Sequence, residues 1–94
     1  MVKLIARIHT QPGQSDVVAA ALRTVAAPSR AEAGNIMYDI CRSQADPNAL
    51  LVLEEWESQA ALDAHMATPH FKAFVDSIGT ALAGAPELEL IDKL

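Results

Sequence analysis

Two strand-forming runs, joined by five residues of turn chemistry, constrain this chain more than any other feature. Asn35 to Ser43 puts Ile36, Tyr38 and Ile40 on one side and Met37, Asp39 and Cys41 on the other, and Ala49 to Glu57 makes a second run. A period of two marks a half-buried strand. Gln44-Ala45-Asp46-Pro47-Asn48 between them is turn chemistry of hairpin length, so the two strands are expected to be antiparallel neighbours.

The same reading extends to both ends. Lys3 to Thr10 alternates Leu4, Ala6 and Ile8 against Lys3, Ile5, Arg7 and His9, and Gln11-Pro12-Gly13 ends that strand. Ser15 is a candidate N-cap, and Val18, Ala21, Leu22 and Val25 recur at helical spacing, which predicts a first helix over Asp16 to Ala31. Pro28 is expected to bend its last turns and Gly34 to stop it. Ser58 can cap a short helix carrying Ala61, Leu62, His65 and Met66 on one side. Thr68 then caps a restart with Pro69 in the first helical position, followed by a stripe of Phe71, Phe74, Val75, Ile78 and Leu82. Glu87 to Leu94 is the last strand. The order β-α-β-β-α-β with a broken second helix predicts a single α+β domain over residues 1–94. Its expected architecture is a ferredoxin-like, four-stranded antiparallel sheet with the helices on one face. The other face, with Ile5 and Leu53, calls for cover by a second copy.

Composition removes several function classes. Twelve acidic against seven basic residues is the wrong balance for a nucleic-acid partner. No run of about 18 apolar residues exists to span a membrane, and charge interrupts the N-terminus too early for a signal peptide, so the expected location is cytoplasmic. Four glycines are scattered, without a dinucleotide fingerprint or phosphate loop. The one cysteine, Cys41, is expected to be a packed thiol without chemistry. His65 and His70 lie five apart across a helix break rather than four apart on one face, an argument against a shared metal.

Chemistry concentrates between Trp56 and Phe74, which holds three of the four aromatic residues and two of the three histidines. His65 shares a helical face with Leu62 and Met66, which directs its imidazole inward; it is either a satisfied core histidine or a catalytic one. His70 opens a helix, where the positive end of the dipole favours a neutral ring able to accept a proton. Trp56, Phe71 and Tyr38 are core residues or a ligand-stacking wall. Glu54 and Glu55 face opposite ways, so one points inward, with Arg7 or Arg42 as its expected structural partner.

These residues resemble the antibiotic biosynthesis monooxygenase family, and within it the quinol monooxygenase-like members. The resemblance runs through Gln11-Pro12-Gly13-Gln14, Pro28-Ser29-Arg30-Ala31-Glu32-Ala33-Gly34 and Tyr38-Asp39. Its most specific part is Glu54-Glu55-Trp56-Glu57-Ser58, continued by Leu62-Asp63-Ala64-His65 and Thr68-Pro69-His70-Phe71. It implies a dimeric α/β barrel with a pocket between helices and sheet in each subunit. The heme-degrading branch of that fold would need an asparagine at Ala6, a tryptophan at His65 and a histidine near Val75, and this chain has none of them. The resemblance therefore implies a homodimeric, cofactor-free monooxygenase acting on a small hydroxylated aromatic with molecular oxygen. His65 or His70 would be the base, and Trp56, Met66, Phe71 and Tyr38 the substrate wall. Two rival readings are an isomerase of a phosphorylated autoinducer-type sugar, which needs clustered basic groups, and a non-catalytic ligand-binding or stress-related dimer.

Overall fold

The central strand of the sheet is the one whose alternation is cleanest. In a computed structural model, which describes residues 1–94, β1 (Val2–His9) buries Leu4, Ala6 and Ile8 and leaves the intervening residues half-exposed. It pairs antiparallel with β3 (Ala49–Trp56) on one side and β4 (Glu87–Ile91) on the other, while β3 pairs with β2 (Asn35–Arg42). The sheet order is β2-β3-β1-β4, the expected ferredoxin-like arrangement. The strands end one to three residues earlier than their periodicity suggests, because side-chain alternation outlasts the ladder of backbone bonds. Ile36 is exposed although Tyr38 beside it is buried, because the β2 register shifts between Asn35 and Met37.

Helix α1 (Ser15–Arg30) begins one residue before the expected start: Gln14 is the N-cap, without a side-chain bond, and Ser15 is already helical. It runs through Pro28, which lies in the last turn, and ends four residues before Gly34. The second helix is broken as its caps dictate. In α2 (Gln59–Met66) the Ser58 side chain accepts from the amide of Ala61, and in α3 (Pro69–Ile78) the Thr68 side chain accepts from that of Phe71. A short 3-10 turn, Gly79–Ala81, follows. Leu22, Val25, Val52, Trp56 and Ile78 form the centre of the core between helices and sheet.

Two expectations need correction. Cys41 is exposed on the outer face of β2 rather than packed, since that phase of the strand faces away from the helices. Arg7 and Arg42 do not reach Glu54 or Glu55: Arg7 pairs with Glu89 and Arg42 with Asp16, each at 2.8 Å, and Glu55 faces Lys3 at 3.8 Å.

Candidate active site

The helix break sets two histidines around one carboxylate. Thr68 Oγ1 donates to the carbonyl of His65 at 2.7 Å and accepts from the amide of Phe71 at 3.2 Å, so one side chain joins the end of α2 to the start of α3. Opposite them, the chain leaving α1 makes a tight turn: the amide of Glu32 donates to Ser29 and that of Asn35 to Glu32. Arg30 anchors this turn by donating twice to the carbonyl of Tyr38, at 3.0 and 2.8 Å. Glu32 Oε2 then lies 2.7 Å from His65 Nδ1 and 2.9 Å from His70 Nε2.

With Glu32 ionised, both ring nitrogens donate to it, a tautomer set by the hydrogen-bond network. His65 is buried, and its Nε2 is the one buried side-chain polar atom without a partner. In the neutral ring that atom is a lone-pair acceptor. Around it stand Trp56, with ring centroids 4.6 Å apart, Phe71 at 5.1 Å and Tyr38 at 5.7 Å.

The spacing argument against a shared ligand set does not hold, because the donor atoms of Glu32, His65 and His70 lie within 4.8 Å of one another. Their actual separations of 2.7 and 2.9 Å are nevertheless hydrogen-bond lengths. Donors sharing a tetrahedral zinc at about 2.0–2.1 Å would stand about 3.3 Å apart. The arrangement fits a hydrogen-bonded triad better than a metal centre.

His65 lines a cavity of about 280 Å³ between the helices and the inner face of the sheet. Tyr38, Met66 and Phe71 line it, and its only ionisable groups are Tyr38, Glu54 and His65. Exposed Val75 and Leu88 mark its mouth. Nδ1 is tied to Glu32, which is outside the lining, and Nε2, on the other side of the ring, is itself buried at the cavity wall. Trp56 and His70 do not line it. Trp56 is fully buried behind His65, and His70 faces a separate groove between α1 and α3. Phe71 and Ile78 line the cavity from α3, whereas His70 on the same helix reaches Glu32.

Two members of the site are not legible as such in the sequence. Glu32 is 33 positions from His65 in a turn, a relation no local spacing signals. Glu54 does fall on the inward phase of β3, but its partner is Trp56 Nε1, which donates at 3.0 Å, rather than an arginine. Burial, opposed by that bond and helped by the charge of Glu32, pushes the Glu54 carboxyl up to about 7. Burial first, and the nearby Glu54 charge second, raise the Tyr38 hydroxyl well above its ordinary value, so it stays a neutral donor.

A family model described as "Antibiotic biosynthesis monooxygenase" matches residues 1–77. The Bacillus subtilis protein "Putative monooxygenase YcnE" is 34% identical over 86 residues, covering 92% of this chain and 90% of that one. "Probable quinol monooxygenase YgiN" of Escherichia coli is 28% identical over 88 residues, covering 83% and 85%. One further relative is longer, and the chain spans 56% of its length. The crystal structure of PA3566 from Pseudomonas aeruginosa superposes with a TM-score of 0.92 at 33% identity, covering 99% of this chain and 93% of that one. By this match of sequence and fold, the chain belongs to the antibiotic biosynthesis monooxygenase family.

Proposed function

We propose that the protein is a homodimeric monooxygenase that oxidises a small, hydroxylated, quinol-like aromatic with molecular oxygen and needs neither organic cofactor nor metal, with His65 as general base. The observation that carries this reading is the partnerless Nε2 of His65 beside an apolar cavity, with Nδ1 held by Glu32. A base needs a free lone pair and a fixed tautomer, and the partnerless Nε2 and the Nδ1–Glu32 bond support both. The cavity is larger than the roughly 150 Å³ that encloses one benzene ring. Its apolar wall suits a flat ring with few polar groups.

His65 Nε2 takes the proton of a ring hydroxyl. The electron-rich anion reduces oxygen and joins it at a ring carbon, giving a hydroperoxide once the proton returns to the outer oxygen. Cleavage of the O–O bond with loss of the hydrogen on that carbon releases water. The balance is quinol plus O2 to hydroxyquinone plus water, in which the ring supplies all the electrons. His70 does not touch the ring in this scheme; it holds Glu32, which orients His65. A phosphorylated sugar is disfavoured because no lysine or arginine lines the cavity.

Oxygen uptake with 1,4-naphthohydroquinone, corrected for spontaneous oxidation, tests the proposal. The product should gain one atom of isotopically labelled oxygen. His65→Ala should lower turnover about a hundredfold or more, the usual scale for loss of a general base, and His70→Ala by about tenfold or less. No uptake above background by the wild type would leave only the binding reading, and wild-type rates in both variants at unchanged thermal stability would remove His65 as the base.

A further inference from the structure

Glu54 is placed as a core residue and has no core partner of opposite charge. The inward phase of β3 sets it between Leu4 of β1 and Tyr38 of β2, and no cation pairs with it: Arg7 pairs with Glu89, Arg42 with Asp16 and Lys3 with Glu55, and Arg30 donates to the carbonyl of Tyr38. Trp56 Nε1 satisfies Oε1, and Oε2 takes no hydrogen bond from the protein although Glu54 lines the cavity. The groups that act on it are the Tyr38 hydroxyl from β2 and Glu32 from the end of α1, His65 of α2 lines the same cavity, and β1 contributes only Leu4. None is a permanent cation. An ionised carboxylate left in such surroundings is costly, and a leucine would fill the position without that cost. A strained ionisable group in a cleft is grounds for a functional role.

The same indole contacts both Glu54 and His65 of the cavity wall. Its Nε1 holds Glu54 at 3.0 Å, and its ring supports the His65 imidazole at 4.6 Å between centroids. We propose that Glu54 contacts the substrate, its Oε2 hydrogen-bonding a second oxygen of the ring whose first oxygen is held by His65 Nε2. The enzyme then selects rings that carry oxygen on two sides. With its carboxyl at about 7, Glu54 is available as a neutral donor near physiological pH. The inference rests on the ring-substrate reading above and adds the residue that sets its specificity.

Anaerobic calorimetry with 1,4-naphthohydroquinone and 1-naphthol tests it without requiring turnover. The wild type should bind the two-oxygen ring about tenfold more tightly, the scale of one buried hydrogen bond. Glu54→Leu should bring the ratio to about one by weakening only that ring. Glu54→Gln keeps the shape, the acceptor for Trp56 and a donor, and should hold the ratio within about threefold of wild type. A wild-type ratio in Glu54→Leu, or equal weakening of both rings in either variant, overturns the inference and marks Glu54 as structural. If the wild type binds neither ring, this inference falls together with the ring-substrate reading. Binding of both rings with a ratio Glu54 does not control overturns the inference alone.

Discussion

Glu54 gives the fold a pH dependence opposite to that of most carboxylates. Its folded pKa, about 7, lies above the unfolded value of 4.5. Below 4.5 both states hold the proton, and between 4.5 and 7 only the folded state does, so the unfolded state binds fewer protons and stability falls as pH rises. The loss reaches on the order of 3 kcal/mol at most and levels off above 7. Glu54→Gln cannot ionise, so its melting temperature should gain on wild type as pH is raised from about 5 to about 7.5. Parallel pH profiles for the two proteins would show that Glu54 ionises freely. At this scale the sequence is informative about direction more than about partners. The helical face of His65 is read from local periodicity, as is the expectation that one of Glu54 and Glu55 points inward. That Glu32 binds His65 depends on a turn brought there by the packing of α1 on the sheet.

The elements that carry the site are joined by close contacts rather than by length. Gly34 lies so near the first turn of α2 that a Cβ there would collide with the Cβ of Ala61. Its carbonyl also accepts from the amide of Glu57 at 2.9 Å, which fixes the end of β3. The glycine is needed at this point for approach, not for helix termination, since α1 has already ended at Arg30. Gly34→Ala must push α2 away from the turn that holds Glu32, a cost of about 1–3 kcal/mol for overpacking. At roughly 4–8 °C per kcal/mol for a domain of this size, the melting temperature should drop by at least about 4 °C. Calorimetry is the check, and an unchanged melting temperature would mean that α2 shifts freely. The caps at Ser58 and Thr68 were readable because a cap is a local bond between neighbours in sequence. The contact of Gly34 with Ala61 was not, because it is made between elements.

The whole molecule leaves two apolar areas open. On the outer face of the sheet, Ile5, Leu51 and Leu53 are only half-covered, and on β4 the inner strip of Leu88 and Leu90 is exposed. Leu88 and Leu90 stand opposite Ala6 and Leu4 and so share the cavity side of the sheet, beyond the helices. A second copy against the outer face is the proposed cover, and β4 puts the cavity mouth at the margin of that contact. Light scattering at micromolar concentration should give about twice the 10.0 kDa chain mass. A stable monomer would remove the barrel. Element order, the antiparallel hairpin, the caps at Ser58 and Thr68 and the buried phase of β1 were determined by the sequence itself, because each follows from the chemistry of residues within one turn or one strand. Resemblance in sequence added the family. Tertiary structure alone decided that His65 and His70 share Glu32, that Trp56 supports the cavity from behind, and that Glu54 is held by an indole instead of an arginine. Those are contacts between elements, set by how helices pack on a twisted sheet, and no periodicity along the chain records them.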